Sequence, residues 1–205
     1  TTAEAGDEPV LIYQRCGCPV AVAPKRVTAV QLLVEQCGVD IIISYDGLQH
    51  YALQRDIELI VMDGERRLGN GWLMPMGPLR ETASRMREAM AVICNGGKAR
   101  PDEIPMVLQP APLHNVRTNH TALISGAVDA MAGIGYPPRF FNSLLQQGYA
   151  LNQQVAYADH QAFSADELQQ RFAQRPLIMT EKDAVKCRSF ALDNWWYQPV
   201  TAQLP

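Results

Sequence analysis

Three short apolar runs in this chain each end in a cluster of polar residues. The runs and the polar residues that follow them are 39–44 with Asp46, 59–62 with Asp63, and 177–179 with 180–183. Runs of this length that are rich in branched side chains are too short for most helices and are typical of buried parallel strands. Ligands of open parallel sheets bind at the carboxyl ends of the strands. The pattern therefore predicts an α/β protein with a polar crevice that handles a phosphorylated ligand.

The composition is that of a soluble globular protein. With 205 residues, of which 47% are hydrophobic and 19% charged, the chain can bury a sizeable core. The net charge of −3 argues against nucleic acid as a main partner, because phosphate backbones attract basic proteins. No apolar stretch is long enough to span a membrane, and the acidic residues 1–8 do not resemble a signal peptide. We therefore expect a cytoplasmic protein.

The cysteines show no spacing typical of a metal site. Five are present, at positions 16, 18, 37, 94 and 187. Cys16 and Cys18 are too close together for a zinc knuckle and have no second pair downstream. Buried free thiols in a reducing compartment are the expected arrangement.

Strand and helix patterns alternate along the chain, which predicts βαβ units and a mostly parallel sheet. Predicted strands cover 39–44, 57–62, 90–94, 127–133, 177–179 and the aromatic segment 195–197. For the aromatic segment a position in the core is favoured over a membrane interface. Predicted helices cover 27–37, 79–90, 137–147 and a segment opened by Ser164, while 10–15 fits either a short helix or a strand. A turn is predicted at 180–183. Four prolines between Lys98 and Leu113 predict a connector and the best domain boundary.

Three carboxylates and one histidine are candidates for chemistry on residue type alone. Asp46, at a predicted strand end, suits Mg²⁺ or a water near a phosphate, and equally an ordinary turn. Asp159 and His160 could share a proton near neutral pH, although a lone histidine in a loop is more often structural. For Asp7, within Gly6–Pro9, a solvated turn or helix cap is favoured over catalysis.

Other motifs suit the binding of an anionic ligand. Asn70 lies between two glycines, which permit a close backbone approach to a ligand. The most basic region contains arginines at 66, 67, 80, 85 and 87, about half of which we expect to be surface charges. No GxGxxG string follows a strand, which argues against a Rossmann-type dehydrogenase.

Longer strings carry a resemblance to a known family. They are Gly6–Pro9, Asp46–His50, Gly69–Glu81, Ala132–Phe141, Ala158–His160 and Met179–Cys187. In this order they resemble the tetraacyldisaccharide 4′-kinases, the lipid A 4′-kinases, over essentially the whole chain.

The resemblance implies ATP-dependent phosphorylation of the 4′-hydroxyl of a tetraacylated glucosamine disaccharide 1-phosphate, which gives lipid IVA. It implies a P-loop kinase-like domain with a smaller α/β domain, here expected at 1–112 and 113–205, and contact with the cytoplasmic face of the inner membrane. By the same resemblance Asp7 is the general base with His160 as its partner. Asp46 is one acid of a Walker-B-like pair at Mg²⁺. Asn70 and Arg80 bind the phosphate and sugar of the substrate.

The chain departs from the family pattern in two ways. Tyr45 stands where the family has a first aspartate before Asp46, and tyrosine is a poor Mg²⁺ ligand. No GxxxxGK[ST] string occurs in the 205 residues, and the family carries this P-loop upstream of the motifs present here. We therefore assign no ATP-binding residue and expect negligible kinase activity from this chain alone. The alternative is a non-catalytic module that binds acylated disaccharide phosphate or a protein partner.

Overall fold

The computed structural model describes the backbone of residues 1–205 and every side chain except that of residue 3. It divides into two compact units, one formed by 1–41 with 110–199 and the other by 42–109 with 200–205. The later change of unit, at 109–110, lies close to the boundary predicted at 112. Residues 1–41, however, pack with the second part of the chain, so the first unit is discontinuous in sequence. The functional division into a nucleotide-binding part and a smaller part stays a prediction.

The helices are α1 (Thr2–Ala5), α2 (Asp7–Cys16), α3 (Arg26–Cys37), α4 (Pro137–Gln146), α5 (Ala165–Arg171) and α6 (Glu181–Cys187). The strands are β1 (Leu59–Asp63), β2 (Ala91–Asn95), β3 (Glu103–Pro110), β4 (His114–Asn115), β5 (Ala127–Ala132), β6 (Ala150–Ala156), β7 (Leu177–Thr180), β8 (Trp195–Gln198) and β9 (Val200–Gln203). A short 3₁₀ helix covers Ala83–Arg87. None of the described helices combines the length and apolar character needed to cross a bilayer.

The first unit contains a five-stranded sheet in the order β4-β8-β7-β5-β6. Its last four strands are parallel, and only β4 runs antiparallel to its neighbour β8. From β5 the chain passes to β6 on one side and later returns to β7 on the other. The strand order therefore reverses between β5 and β7, which is the point where open α/β sheets bind ligands.

The central strands of this sheet are buried on both faces. Consecutive residues of a strand point to opposite faces, and Ala130 and Met131 of β5 are both fully buried. Ala130 packs in a cluster with Phe141 and Leu144 of α4, and Met131 packs in a second cluster with Phe172, which follows α5. Helices thus cover both faces, and this explains why these strands appear in the sequence as continuous apolar runs.

The aromatic segment lies in the core as predicted. Trp195 and Trp196 of β8 are 0% and 7% exposed and belong to the two clusters on opposite faces of the sheet. The Trp195 indole N–H donates to the Phe172 carbonyl at 3.3 Å. The alternative role at a membrane interface is therefore wrong for these two residues.

The second unit contains a four-stranded sheet in the order β1-β2-β3-β9, in which β1, β2 and β3 are parallel. After β1 the chain passes very close to the end of β2, because a Cβ at Gly64 would lie 1.9 Å from the Gly96 carbonyl oxygen. Strand β3 lies where a proline-rich connector was predicted. Pro105 removes one ladder donor, but Met106 still accepts a hydrogen bond from the Gly96 N–H at 2.9 Å and so keeps the register.

Other local predictions were also wrong. Residues 39–44 form no regular structure, and Ile41 and Ile43 are 82% and 90% exposed, because no described strand pairs with this segment. The helix predicted at 79–90 is reduced to the 3₁₀ helix, in which Arg85 forms ion pairs with Glu58, Glu81 and Glu88. The turn predicted at 180–183 is the start of α6.

Only part of the cysteine prediction holds. All five thiols are free, as expected, but only two are buried, at positions 94 and 187. Cys16 and Cys37 are the last residues of α2 and α3, and both helices end in a left-handed glycine that leads into irregular chain. The thiols there are consequently exposed.

Candidate functional site

Asp7 is the first residue of α2, and its side chain is buried. Gly6 precedes it at φ 90°, a conformation that a β-carbon would strain, and turns the chain sharply into the helix. Asp7 is 7% exposed, and its Oδ1 accepts a hydrogen bond from the Glu8 backbone N–H at 3.1 Å. The helix N-terminus also favours a carboxylate at this position. Of the two arrangements favoured from residue type, the solvated turn is therefore wrong, and the helix cap is close, because Gly6 holds the cap position and Asp7 follows it.

Segments that follow three neighbouring strands build the site around Asp7, and Gly133 is connected to Asp7 indirectly, through Asp183 and Lys186. Gly133 follows β5, His160 lies in the loop after β6, and Lys182 lies just after β7. The carboxyl ends of parallel strands meet at one edge of the sheet, and β5 and β7 flank the point where the strand order reverses. The site is therefore where this type of sheet is expected to bind a ligand.

His160 connects buried Asp7 with solvent. Its Nδ1 lies 3.3 Å from Asp7 Oδ1 and its Nε2 lies 3.7 Å from Glu8 Oε1, while the side chain is 59% exposed. The residue has φ 60°, which is uncommon for a histidine, and its backbone N–H donates to Asp159 Oδ1 at 3.1 Å. Unusual backbone at such a position is frequent at functional sites. The structure thus brings together the predicted pair of Asp7 and His160.

Two lysines of α6 point to the same carboxylates. Lys182 Nζ lies 2.7 Å from Glu8 Oε1, 3.0 Å from Asp159 Oδ1 and 3.7 Å from Asp7 Oδ2. Lys186 Nζ lies 3.8 Å from the same Asp7 oxygen. Their side chains are only 16% and 10% exposed, so solvent screens these ion pairs incompletely.

Asp183 holds the end of β5 against the start of α6. It is completely buried, and its Oδ2 accepts from the Gly133 N–H at 2.9 Å and from the Thr180 hydroxyl at 2.6 Å. Thr180 caps the helix in return, because its Oγ1 accepts from the Asp183 N–H at 3.2 Å. Lys186 Nζ completes the arrangement at 3.2 Å from Asp183 Oδ1.

These contacts keep Asp7 and Lys182 ionised. Burial raises the pKa of Asp7, but hydrogen bonding with Glu8 and the positive charge of Lys182, with smaller contributions from backbone and His160, lower it to about 2. Burial lowers the pKa of Lys182, but hydrogen bonds to Glu8 and Asp159 and the charges of Asp7 and Glu8 raise it well above its usual value. Asp7 is therefore a carboxylate and Lys182 an ammonium at neutral pH.

This cluster also has the spacing of a metal site. One ligand atom from each of Asp7, Glu8 and His160 lies within 4.8 Å of the others. Lys182 Nζ already lies 2.7 Å from Glu8 Oε1 and supplies the positive charge there. We therefore interpret the three residues as an ion-pair cluster that needs no metal ion.

Asp46 and Arg80 form a second candidate site, in the second unit. Arg80 Nη1 donates to Asp46 Oδ1 and Oδ2 at 2.9 and 3.0 Å and to Gln49 Oε1 at 3.2 Å. Asp46 has φ 50°, which is uncommon for a residue other than glycine. The structure thus brings two separate sequence motifs together, 46–50 and 69–81.

The surroundings of Asp46 do not by themselves form a Mg²⁺ site. Both of its carboxylate oxygens accept hydrogen bonds from Arg80, and tyrosine at position 45 supplies no second carboxylate. The role of Asp46 as a metal ligand stays a prediction, and no step proposed below depends on Mg²⁺.

Asn70 fixes the shape of its own loop. Its Nδ2 donates to the Met76 carbonyl at 2.9 Å, and its Oδ1 accepts from the Trp72 N–H at 3.1 Å. A Cβ at Gly77 would lie 2.2 Å from Asn70 Oδ1, so this position needs glycine. Substrate binding by Asn70 stays a prediction.

Three functional candidates, Glu8, Lys182 and Lys186, were not predicted from the sequence. A signal was present, because lysines four residues apart share one face of a helix, and this helix follows directly on a strand. The turn predicted at 180–183 concealed it, since a turn would not align the two side chains.

The fold and the first site define a class of protein. A buried carboxylate, a partly exposed imidazole and two ammonium groups at the carboxyl edge of a parallel sheet are typical of α/β enzymes that move a proton beside an anionic substrate. The family model described as tetraacyldisaccharide-1-P 4′-kinase, LpxK, matches residues 1–205. The chain belongs to this family.

Curated relatives agree with this assignment. The chain is 88% identical over 205 residues to the tetraacyldisaccharide 4′-kinase of Tolumonas auensis, and 63% identical over 207 residues to that of Aeromonas hydrophila. All of this chain is matched in both comparisons, but it spans only 63% and 62% of the length of these relatives.

A solved structure confirms the fold. The structure of LpxK from Aquifex aeolicus in complex with ATP matches all of this chain with a TM-score of 0.74, at 21% identity and over 66% of its own length. The predicted α/β fold with parallel sheets, of the P-loop kinase-like type, is thereby confirmed.

Proposed function

We propose that this chain is part of an ATP-dependent kinase that phosphorylates the 4′-hydroxyl of tetraacyldisaccharide 1-phosphate and so forms lipid IVA. The relatives named tetraacyldisaccharide 4′-kinase support the substrate, and the ATP bound to the Aquifex protein supports the nucleotide. The observation that carries the proposal is the buried, ionised carboxylate of Asp7 at 3.3 Å from the imidazole of His160.

In the proposed reaction the 4′-oxygen attacks the γ-phosphorus, the bond from that phosphorus to the β,γ-bridging oxygen breaks, and ADP leaves. Asp7 accepts the hydroxyl proton, and His160, which is 59% exposed, passes it on to solvent. A carboxylate of low pKa is a weak base, but it suits this chemistry. In a loose phosphoryl-transfer transition state the nucleophile needs orientation more than early deprotonation.

The arginine of the second site is proposed to bind a phosphate of the substrate. Arg80 is 56% exposed and forms an ion pair with Asp46. A phosphate of the substrate can replace Asp46 as the partner of the guanidinium and accept two hydrogen bonds from it. Asn70 is proposed to help bind the sugar indirectly, because its hydrogen bonds fix the conformation of the loop.

The acyl chains of this substrate lead us to propose contact with the cytoplasmic face of the inner membrane. The loop whose conformation Asn70 fixes contains Trp72, Met74 and Met76, which are 65%, 65% and 75% exposed. Tryptophan favours the boundary between lipid and water, so this loop is suited to meet acyl chains or the membrane surface.

ATP binding is proposed to need the P-loop that the family carries upstream of these motifs. The test joins this chain to the corresponding segment of the Tolumonas kinase, chosen for its 88% identity, and measures transfer of labelled γ-phosphate to purified acceptor. We expect turnover of about 1–100 s⁻¹ from the joined kinase, as in other kinases, and none above background from the chain alone.

The matched control for this test is the joined kinase with the P-loop lysine replaced by methionine, which we expect to be as inactive as the chain alone. Equal turnover by the chain alone and by the joined kinase would show that the P-loop proposal is wrong.

Tyr45 favours a second function, a non-catalytic module that binds acylated disaccharide phosphate. We expect Tyr45→Asp in the joined kinase to raise kcat about tenfold, or about 1.4 kcal/mol, because it restores a second carboxylate beside Asp46. Tyr45→Phe is the matched control and should leave kcat unchanged. If neither variant has turnover while the acceptor still binds, the module is the better description.

A further inference from the structure

Helix α6 directs two lysines to the acid–base pair. Lys182 and Lys186 are four residues apart and therefore lie on the same face of the helix. Helix α6 packs against α2, whose first residue is Asp7. Neither lysine is needed for the proton transfer proposed above, so their burial beside Asp7 requires an explanation of its own.

Lys182 is surrounded by carboxylates from two separate segments. Asp7 and Glu8 belong to the start of α2, and Asp159 belongs to the loop after β6 that carries His160. All three lie within 3.7 Å of the Lys182 ammonium, which thus forms ion pairs with both segments. Without a cation at this point the three negative charges would repel one another and separate the two segments.

Lys186 contacts a different set of residues from Lys182. Its nearest carboxylate is buried Asp183 at 3.2 Å, and its ammonium also lies 4.6 Å from the centre of the Phe163 ring. It lies 3.8 Å from Asp7 Oδ2, about as close as Lys182 does, but unlike Lys182 it forms no ion pair with Glu8 or Asp159. Lys186 therefore serves mainly the packing of α6, and Lys182 is the lysine directed at the pair.

We propose that Lys182 is a positioning residue, whose ammonium keeps Asp7 deprotonated and holds the loop of Asp159 and His160 against the start of α2. The role in turnover rests on the proposed function, whereas the effect on Asp7 does not. The charged and titratable groups that face Asp7 are Glu8 from α2, Asp159 and His160 from the loop after β6, and Lys182 and Lys186 from α6.

The consequence for pH dependence has a definite sign. Lys182 is one of the groups that lower the pKa of Asp7, so its loss makes Asp7 bind a proton at higher pH. An opposite charge at this distance shifts a carboxyl pKa by about 1–3 pH units. The acid limb of the kcat/KM profile should move to higher pH by the same amount, because only ionised Asp7 accepts the proton.

The first test follows the Asp7 side-chain carboxyl carbon of this chain by ¹³C NMR between pH 7 and pH 4. We expect an unchanged signal in the wild type and in Lys182→Arg, and the beginning of a titration in Lys182→Met. The matched control is Lys98→Met, which removes an exposed lysine of the second unit. If Lys182→Met does not fold, Lys182→Gln removes the same charge and is measured in its place.

The second test measures kcat/KM against pH for the same variants of the joined kinase. An Asp7 titration that begins above pH 4 in the uncharged variants, together with an acid limb moved to higher pH and rescue of both by arginine, supports the proposal. An Asp7 signal that stays flat in both uncharged variants overturns it. An Asp7 titration that begins above pH 4 with an unchanged rate profile supports the charge effect of Lys182 and contradicts the base role of Asp7, so the two proposals fail separately.

Discussion

Asp7→Asn is expected to lower kcat of the joined kinase by about 10²–10⁴-fold, the usual contribution of a general base. Asparagine has the same size as aspartate and can still accept the 3.1 Å hydrogen bond from the Glu8 N–H, so the helix start is preserved. It cannot accept the hydroxyl proton, and it removes the negative charge that orients His160. Steady-state kinetics at saturating ATP and acceptor measure the change, which should affect kcat more than KM.

The matched control is Asp102→Asn, which neutralises an exposed aspartate of the second unit. It should leave kcat within about twofold of the wild type, as expected for a surface substitution away from the site. If Asp7→Asn loses no more activity than this control while it remains folded, Asp7 is not the base, and the arrangement with His160 must have another purpose.

The parallel sheet of the first unit could be predicted because local and tertiary signals agree there. The runs at 127–133 and 177–179 are apolar on both faces, and the structure buries both faces under helices. Ser164 was predicted to open a helix, and its Oγ accepts from the Glu167 N–H at 3.4 Å. In such segments the pattern of apolar residues follows directly from which faces of the strand or helix are buried.

Other strands depend on their neighbours and could not be predicted. The run at 39–44 has a strand-like sequence but no described partner strand, and a strand without one cannot satisfy its backbone groups. The opposite holds for strand β3, because its prolines predict a loop but its pairing with β2 keeps it extended. Local propensity is weaker than tertiary context in both cases.

The candidate site was predictable only in part for a similar reason. Residue type and spacing favoured a solvated turn or helix cap for Asp7, because its burial depends on residues more than 150 positions later in the chain. Spacing alone indicated an α/β protein with a phosphorylated ligand. The motif strings indicated the family, and the match of the family model to residues 1–205 confirmed it.

Asp183→Ala is expected to reduce the free energy of unfolding of this chain by about 3–5 kcal/mol, the usual cost of removing one partner from a buried ion pair. The substitution leaves the Gly133 N–H without its 2.9 Å acceptor and Lys186 without its nearest carboxylate at 3.2 Å. The Thr180 hydroxyl also loses the oxygen to which it donates. Urea unfolding followed by circular dichroism and tryptophan fluorescence measures the loss.

Asp166→Ala is the matched control, since Asp166 is an exposed aspartate in the first turn of α5. Its loss should cost no more than about 0.3–1 kcal/mol, the value of a favourable charge at a helix N-terminus. A similar cost for both substitutions would mean that Asp183 is not the residue that joins β5 to α6. A much larger cost for Asp183→Ala would show that Asp183 fixes α6 in place. Both lysines belong to α6, so Asp183 would then also support the position of Lys182.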